Sequence, residues 1–420
     1  MNVNYLILVT ILFGILTINK QTNGQTPADA KKIMIDPMNA MGGTASKYFE
    51  DVQYIPLQTT KESLFGKIDQ LLVTPSYFII LDKTTEAVLF FNKDGSYHHK
   101  ISKFQFDKIF QVPNSTGPKR SIISSISINE TGDKFYISSI FEPAVLYIYT
   151  FDGIRTGKIN LPANTQDYYQ LKNGYFICKQ QRPYSANKLN NFKQFDISIY
   201  KDSITIPLSL FPVIPNQTAL LDDLYGHIKY LNKGATDTTC LYSPDFSYHL
   251  YELGTTGISR EFEVLLPKYL SIPQNFDTDS AYVGKRKEFL KDKSAITSFW
   301  EASITNNCLL LDIRIPNTQN NINRICLLYS LKTSRLIALD KIGADDKTSY
   351  LPVSGNTRSD LLLSAAGDLY YSFPSLTMFS SKEAMKDKKP AYSPTLENYF
   401  KTENRKSNPV LVRLKLKSTI

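Results

Sequence analysis

The sequence predicts an all-β fold, a six-bladed β-propeller, and three observations support this prediction. Short runs rich in Ile, Val, Phe and Tyr recur along the chain between turn residues, which favours strands over helices. These runs fall into six units, whose starts are spaced by about 58 residues on average. One strand-like run near each end of the chain, Val52–Leu57 and Val410–Leu416, has no hairpin partner beside it in sequence. A closed ring of small sheets accounts for all three observations.

The first unit, Ile68–Ile101, shows the pattern most clearly. Its predicted strands are Ile68–Val73, Tyr77–Leu81, Ala87–Phe91 and Tyr97–Ile101. Asp94 and Gly95 form a strong hairpin signal, because glycine adopts a positive φ without steric cost. Four strands joined by hairpins have the size of one propeller blade.

The second unit, Ile122–Leu161, repeats this arrangement. Its stretch YTFDGIRTGKI aligns with FFNKDGSYHHKI of the first unit, so that an aromatic strand, a D-G turn and a final Lys-Ile occur at matching positions. The other four units begin near residues 168, 225, 296 and 360. Six units of this size fill the chain after its first 47 residues.

The sixth unit lacks one strand. Its predicted strands are Asp360–Ser364, Leu369–Phe373 and Val410–Leu416, and a polar segment, Ser380–Lys406, interrupts them. We expect Val52–Leu57 to supply the missing strand, so that both ends of the chain close the ring. Closure of this kind removes an open sheet edge on which other chains could aggregate.

The first 24 residues have the features of a cleaved signal peptide. An apolar run covers Leu6–Ile18, and small residues at Thr22 and Gly24 suit a signal-peptidase site. The first cysteine is Cys178, which leaves none for a lipid anchor in this segment. We therefore expect a periplasmic or secreted protein without a membrane anchor. The predicted divisions are a signal peptide over residues 1–24, a flexible leader over 25–47 and the propeller over 48–420.

Composition argues against two classes of protein. The formal net charge is +9, but the basic residues are scattered, with a denser region only from Lys382 to Lys417. Nucleic-acid binding needs a coherent basic face, so we expect no nucleic-acid partner, and we expect a monomer.

Four cysteines in 420 residues do not make a disulfide scaffold. Cys308 and Cys326, on consecutive predicted strands, either form a disulfide or remain buried thiols.

Three stretches resemble a known group of proteins. They are VQYIPLQTT (Val52–Thr60), FGKIDQLLV with FIILD (Phe65–Asp82), and SNPVLVRLKLK (Ser407–Lys417). They resemble the closing N-terminal strand, the first blade and the closing C-terminal strand of secreted six-bladed β-propellers of Gram-negative bacteria. These proteins are related to NHL-repeat proteins and are mostly of unknown function. The resemblance implies fold and export but not activity, because propellers carry unrelated functions.

Calcium is the cofactor for which the sequence offers ligands. His98 and His99 are adjacent, so on a strand they point to opposite faces and do not chelate a metal together. Some six-bladed propellers resemble lactonases that hold a central Ca²⁺ with carboxylates and amides, which are suitable ligands for a hard cation. Four acidic residues near predicted inner strands are candidates: Asp69, Asp167, Glu301 and Asp360. The alternative is that they form turns at the strand ends.

The sequence offers candidate residues for ligand binding but no recognisable motif for catalysis. The chain contains neither a G-x-S-x-G elbow nor a glycine-rich phosphate loop, and we predict no catalytic residues. Aromatic and basic residues lie at or before predicted inner strands, where they can converge on the channel. The predicted ligand-binding residues are Arg120, Tyr169, Tyr225, His227, Trp300 and Arg358. The alternative is that Tyr225 and Trp300 pack between blades.

Two functional hypotheses follow. The first is an exported, non-catalytic binding propeller without a cofactor, whose ligand is a small molecule, a glycan, a peptide or an envelope protein. The second is a Ca²⁺-dependent lactonase or hydrolase that uses the inner-strand carboxylates. The second requires Asp69, Asp167, Glu301 and Asp360 to converge on one ion.

Overall fold

The computed structural model is a ring of six sheets, each with four antiparallel strands and two with an added parallel outer strand, which confirms the predicted six-bladed β-propeller. It describes residues 30–107, 122–181, 195–201, 204–212, 229–291, 293–316, 322–354, 361–365, 367–418 and 420. In five of the sheets the four principal strands follow one another along the chain, as the short apolar runs and turn residues predict, and the sixth sheet takes its outer strand from near the beginning of the described chain. We number the blades in chain order.

Blades 1 to 3 are made of consecutive strands. Blade 1 contains β4 (Gln70–Val73), β5 (Tyr77–Asp82), β6 (Ala87–Asn92) and β7 (Tyr97–Ile101). Blade 2 contains β8 (Ile123–Ile128), β9 (Lys134–Ser139), β10 (Val145–Thr150) and β11 (Arg155–Asn160). Blade 3 contains β12 (Thr165–Gln170), β13 (Phe176–Gln180), β14 (Phe195–Lys201) and β15 (Ile204–Pro212). The bounds of blade 1 agree with the predicted strands to within two residues.

Blades 4 to 6 also take strands from the beginning of the described chain. Blade 4 contains β16 (Leu231–Lys233), β17 (Cys240–Tyr242), β18 (His249–Gly254), β19 (Gly257–Leu265) and β1 (Lys31–Met34). Blade 5 contains β20 (Phe299–Thr305), β21 (Cys308–Pro316), β22 (Ile322–Ser330), β23 (Leu336–Gly343) and β2 (Met41–Thr44). Blade 6 contains β24 (Leu361–Ala365), β25 (Asp368–Phe373), β26 (Val410–Leu416) and β3 (Phe49–Pro56).

The first strand of each blade lies at the centre of the ring. Strands β4, β8, β12, β16, β20 and β24 are each at one end of their sheet. Neighbouring ones contact each other around a central channel, and between β8 and β12 the hydroxyl groups of Ser127 and Tyr168 share a hydrogen bond. The contact between β24 and β4 closes the ring from blade 6 to blade 1. We call the end of the channel at which these strands begin its upper end.

The outer strand of blade 6 comes from the other end of the chain. Strand β3 pairs antiparallel with β26, with Ile55 opposite Leu411 and Tyr54 opposite Val412. The buried side chain of Asn408 adds hydrogen bonds from its amide nitrogen to the carbonyls of Gln58 and Ser63, at 2.9 Å each. Strands from near both ends of the chain therefore pair in blade 6, and β3 is the strand that the sequence analysis expected to complete this blade.

The prediction of a flexible leader over 25–47 is wrong for residues 30–47. Strand β1 pairs in parallel with the outer strand of blade 4, and β2 does the same in blade 5. Ile33 and Ile35 are buried in the core between these two blades. The physical reason is that an outer strand offers free backbone hydrogen-bonding groups, and a short apolar segment that pairs there also fills the groove between blades. Residues 25–29 lie outside the described residues.

The described residues contain four short helices: α1 (Ala45–Tyr48), α2 (Arg286–Leu290), α3 (Ser375–Ala384) and α4 (Pro394–Thr402). Helices α3 and α4 occupy the polar segment that interrupts blade 6, and Ser393 caps α4 by accepting a hydrogen bond from the amide of Leu396. None of the helices in the described residues is long and apolar enough to cross a membrane.

The cores lie between neighbouring blades. The groove between blades 1 and 2, for example, is filled by Ile79, Phe90, Phe135 and Tyr147, which are all completely buried. Aromatic side chains of this size bury large areas and explain how thin sheets form a stable ring.

All four cysteines are free thiols. Cys308 lies opposite Ser330, whereas Cys326 lies opposite Asp312, so the two cysteines occupy different rungs of the same strand pair. The disulfide alternative is therefore wrong: Cys178, Cys240 and Cys308 are buried thiols, and the thiol of Cys326 is partly buried.

Candidate functional site

Trp300 and Arg314 form a stacked pair at the upper end of the channel in blade 5. Trp300 is the second residue of the inner strand β20, where a register shift between Phe299 and Glu301 interrupts pairing with β21. A bulge of this kind re-aims the side chains beside it. The guanidinium carbon of Arg314, on β21, lies 3.1 Å from the centroid of the Trp300 ring. The pair is partly exposed and presents a flat cationic and aromatic surface.

A second charged pair joins blades 4 and 5 beside this stack. The Nζ atom of Lys229, which lies two residues before β16, is 3.5 Å from Oε1 of Glu301. The two side chains are 48 % and 41 % exposed, so water screens their attraction and the pair adds little to stability. Both groups can therefore exchange partners with little loss of stability.

Asp312 fixes the position of a further arginine. Its carboxylate accepts hydrogen bonds from Nε of Arg324 at 3.0 and 2.9 Å and lies 2.8 Å from Nη2. The Asp312 side chain is only 7 % exposed, whereas Arg324 is 30 % exposed. Burial raises the pKa of Asp312, and the hydrogen bonds from Arg324 act in the opposite direction. The guanidinium is held from the buried side by both carboxylate oxygens.

Asp167 binds the backbone of the next blade. Its Oδ2 atom accepts hydrogen bonds from the amides of Tyr230 and Leu231, at 2.9 and 3.1 Å, and Oδ1 accepts one from Tyr168. Burial raises its pKa, while nearby Lys229 and these amides oppose the rise. Asp167 thus links the inner strands of blades 3 and 4.

Asp69 also has partners from the protein. Its Oδ2 atom accepts a hydrogen bond from the amide of Lys83 at 2.8 Å, and Oδ1 lies 3.8 Å from Nζ of Lys67. The described carboxylates predicted as metal ligands, Asp69, Asp167 and Glu301, therefore belong to three different local arrangements. Within the described parts of the chain no His, Cys, Asp and Glu side chains gather into a group of three that could hold a metal ion. Asp69, Asp167 and Glu301 do not fit a shared calcium site.

The predicted ligand-binding residues occupy different places. Trp300 lies at the upper end of the channel, but Tyr169 packs against the core between blades 3 and 4, where burial raises the pKa of its phenol. Tyr169 therefore contributes to the core between these two blades. Five predicted residues lie outside the described residues: Arg120, Tyr225, His227, Arg358 and, among the metal candidates, Asp360.

A family model described as a 6-bladed beta-propeller, DUF5128, matches residues 20–293. The chain belongs to this propeller family. The match confirms the family at the level of a six-bladed propeller, whereas the relation to NHL repeats and secretion remain predictions. No curated protein matches the chain.

Two solved structures are similar to this member of the family, and the first of them supports the same fold. One is a candidate exported protein from Bacteroides fragilis, with a TM-score of 0.65 and 15 % identity, covering 92 % of this chain and 100 % of that chain. Another belongs to the duf4221 family of Bacteroides vulgatus, with a TM-score of 0.47 and 9 % identity, covering 88 % of this chain and 97 % of that one. At these identities the similarity concerns the fold alone.

Sequence reasoning missed most of the side chains around Trp300. It considered the inner strands only, whereas Asp312, Arg314 and Arg324 lie on the second and third strands of blade 5. A signal was present in the stretch LDIRIP, where charged residues alternate with apolar ones. Such alternation places Asp312 and Arg314 on one face of the strand, opposite buried Leu311 and Ile313.

Proposed function

We propose that this propeller is a non-catalytic binding module whose ligand contacts the upper end of the channel beside Trp300. The observation that carries the proposal is the stack of Arg314 on Trp300, which is partly exposed at the end of a channel. Tryptophan and arginine are enriched among residues that dominate binding energy, because they combine a large apolar face with directed hydrogen bonds. A stack held on two strands is also preorganised for binding.

The surrounding charges support recognition. Lys229 and Glu301 are both about half exposed and lie 3.5 Å apart, so each can turn to a polar group of a ligand. Arg324 is held from behind by buried Asp312. A rigid aromatic face surrounded by exchangeable charges suits a polar ligand with one flat or apolar side.

The environments of the acidic side chains favour binding over calcium-dependent hydrolysis. Asp69 and Asp167 accept hydrogen bonds from backbone amides, so their oxygens already have partners in the protein. A calcium ion would have to replace those partners at the cost of buried amides without acceptors. We therefore assign these two carboxylates to the architecture of the ring.

A thermal-melting screen tests the proposal. The protein is heated with calcium, with chelator, and with separate sets of neutral sugars, sugar acids and short peptides, because a ligand that binds only the folded state raises the melting temperature. We expect a sugar, sugar acid or peptide to raise it, and we expect Trp300→Ala to abolish the rise. The matched control is Arg335→Gln, an exposed residue elsewhere in blade 5, which should keep it.

Two results would contradict the proposal. One is a ligand whose effect persists in Trp300→Ala, which would place the site elsewhere. The other is a loss of stability with chelator that calcium restores, which would favour the metal-dependent alternative.

Export of the protein is part of the same proposal. The apolar run Leu6–Ile18 followed by small residues supports it, and the name of the Bacteroides fragilis protein agrees with it. We expect the protein recovered from the periplasm or the medium to begin at Gln25, as N-terminal sequencing would show. Recovery of the chain from the cytoplasm with residues 1–24 intact would contradict export.

A further inference from the structure

We infer that His98 and His99, on the outer strand of blade 1, form a binding site for a divalent transition-metal ion such as Cu²⁺ or Ni²⁺. This site differs from the one proposed beside Trp300. Strand β7 runs antiparallel to β4, so His98, its second residue, lies near the opposite end of the ring. The observations that carry the inference are a bulge in β7, the distance between the two imidazoles and the hydrogen bond that fixes one of them.

A bulge in β7 brings both histidines to one face of blade 1. The register of β6 and β7 shifts between Phe90 and Phe91, which leaves His98 as an extra residue in β7. The ring of His98 stacks on Tyr77 at 5.0 Å between centroids, and that of His99 stacks on Phe90 at 4.3 Å. Tyr77 and Phe90 both lie in the groove between blades 1 and 2. The prediction that the two histidines point to opposite faces is therefore wrong, because it assumed a regular strand.

The two imidazoles are close enough to share one metal ion. Their ring centroids are 4.8 Å apart, and their planes are inclined at 77° to each other. Two imidazoles that each bind one ion through a metal–nitrogen bond of about 2.0 Å have centroids roughly 5 Å apart. The observed spacing therefore matches that of a chelating pair.

The hydrogen bonds of the pair leave a nitrogen of each ring for the metal. Nε2 of His99 donates a hydrogen bond of 2.6 Å to the carbonyl of Phe151, so the lone pair of this ring is on Nδ1. A backbone carbonyl in this position is a usual partner of a histidine that binds a metal, because it fixes the tautomer and the orientation of the ring. Nε2 of His98 lies 3.3 Å from the hydroxyl of Tyr77, and the side chain of His98 is exposed, so an ion can reach the pair from solvent.

The ligand type determines the class of metal. Imidazole nitrogens suit Cu²⁺, Ni²⁺ and Zn²⁺, and Cu²⁺ binds most tightly in this series, whereas Ca²⁺ and Mg²⁺ prefer oxygen ligands. The negative charge of Asp152, the residue after Phe151, favours positive charge at His99. Two ligands come from the protein, so water completes the coordination of the ion.

Calorimetric titration of the untagged protein with Ni²⁺ tests the inference. We expect one ion to bind per chain in the wild type, and we expect His98→Gln to weaken binding roughly tenfold or more. His98 is exposed, so this variant keeps the core between blades 1 and 2. The matched control is His249→Gln, which removes the imidazole paired with Glu261 in blade 4 and should bind Ni²⁺ as the wild type does.

Electron paramagnetic resonance of the protein loaded with Cu²⁺ provides a second readout. The spectrum should show coupling to nitrogens of two imidazoles in the wild type and of one in His98→Gln. Absence of binding in the wild type, unchanged affinity in His98→Gln or an equal loss in His249→Gln would overturn the inference. Displacement of Ni²⁺ by a similar concentration of Ca²⁺ would also overturn it. None of these results bears on the proposed function, which the melting screen with Trp300→Ala tests independently.

Discussion

His99 shows at the scale of one residue how the ring holds a titratable group. Its imidazole stacks on Phe90, with ring centroids 4.3 Å apart and an interplanar angle of 11°, and Nε2 donates a hydrogen bond of 2.6 Å to the carbonyl of Phe151. Burial lowers the pKa of His99 below its usual 6.5, against the effect of that hydrogen bond. The neutral imidazole is therefore the form that the fold favours.

The lowered pKa of His99 predicts that the free energy of unfolding depends on pH. As the pH falls below 6.5, the unfolded chain takes up a proton at His99 before the folded chain does, so stability decreases down to the lowered pKa of the folded state. Urea unfolding above and below pH 6.5 should show this decrease in the wild type and a smaller one in His99→Gln. The control His98→Gln removes an exposed neighbour that makes only a smaller contribution to the lowered pKa of His99, so it should keep most of the wild-type pH dependence. Equal pH dependence in both variants would contradict the account.

Asp167 is the second residue with a specific structural role, because its carboxylate links the inner strands of blades 3 and 4. Removing its carboxylate in Asp167→Ala leaves two amides at the start of β16 without their acceptor, which should cost about 3 kcal/mol of unfolding free energy. The matched control, Asp237→Ala, removes an exposed carboxylate that pairs with Lys172 and should cost about 0.5 kcal/mol or less. Denaturant unfolding in calcium and in chelator measures both. A destabilising effect of chelator on the wild type that is absent from Asp167→Ala would identify Asp167 as a metal ligand instead.

At the scale of elements, the segment before the closing strand is a structural part of the ring. Strands β1 and β2 extend the outer edges of blades 4 and 5 before β3 reaches blade 6, so one continuous segment covers three blades. The sequence predicts β3 from the strand-like run Val52–Leu57, which has no hairpin partner beside it, but it does not predict β1 or β2. Each has only four residues, and in MGGT of β2 neither glycine has a side chain to signal a strand.

Two neighbouring residues of β1 test this role. Ile33 is completely buried between blades 4 and 5, whereas Met34 is 78 % exposed. Ile33→Asp should lower the unfolding free energy by about 4 kcal/mol, since it places a charge in an apolar core. Met34→Asp should change it by no more than about 0.5 kcal/mol. Similar unfolding midpoints for the two variants would show that β1 does not hold the blades together.

At the scale of the whole molecule, the closure of blade 6 controls the stability of the ring. Strand β3 pairs with β26 along seven rungs, from Pro56 opposite Val410 to Phe49 opposite Leu416. A chain that begins at residue 48 keeps this sheet, so it should unfold cooperatively at a reduced temperature. A chain that begins at residue 58 lacks β3 and should lose the cooperative transition, which circular dichroism on heating would measure. Identical melting curves for the two truncated chains would show that strand β3 does not determine the stability of the ring.

The sequence predicts the ring well because each blade is a local unit. Hairpin turns such as Asp94-Gly95 and the apolar runs beside them determine strands that pair with their neighbours in sequence. The site depends on contacts that the local pattern does not contain. Trp300 was found because it begins an inner strand, but its contact with Arg314 depends on the bulge in β20, and the pair of Lys229 with Glu301 depends on how two blades meet.

The central claim is that a ligand binds beside Trp300, and the nuclear magnetic resonance of its indole N–H tests this most directly. The chain has one tryptophan, so a spectrum of the ¹⁵N-labelled protein contains one indole signal, which needs no assignment. We predict that a compound found in the melting screen shifts this signal in proportion to occupancy, and that Arg314→Gln weakens the response. A compound that stabilises the protein but leaves the indole signal unchanged at saturation would place the binding site elsewhere and contradict the account.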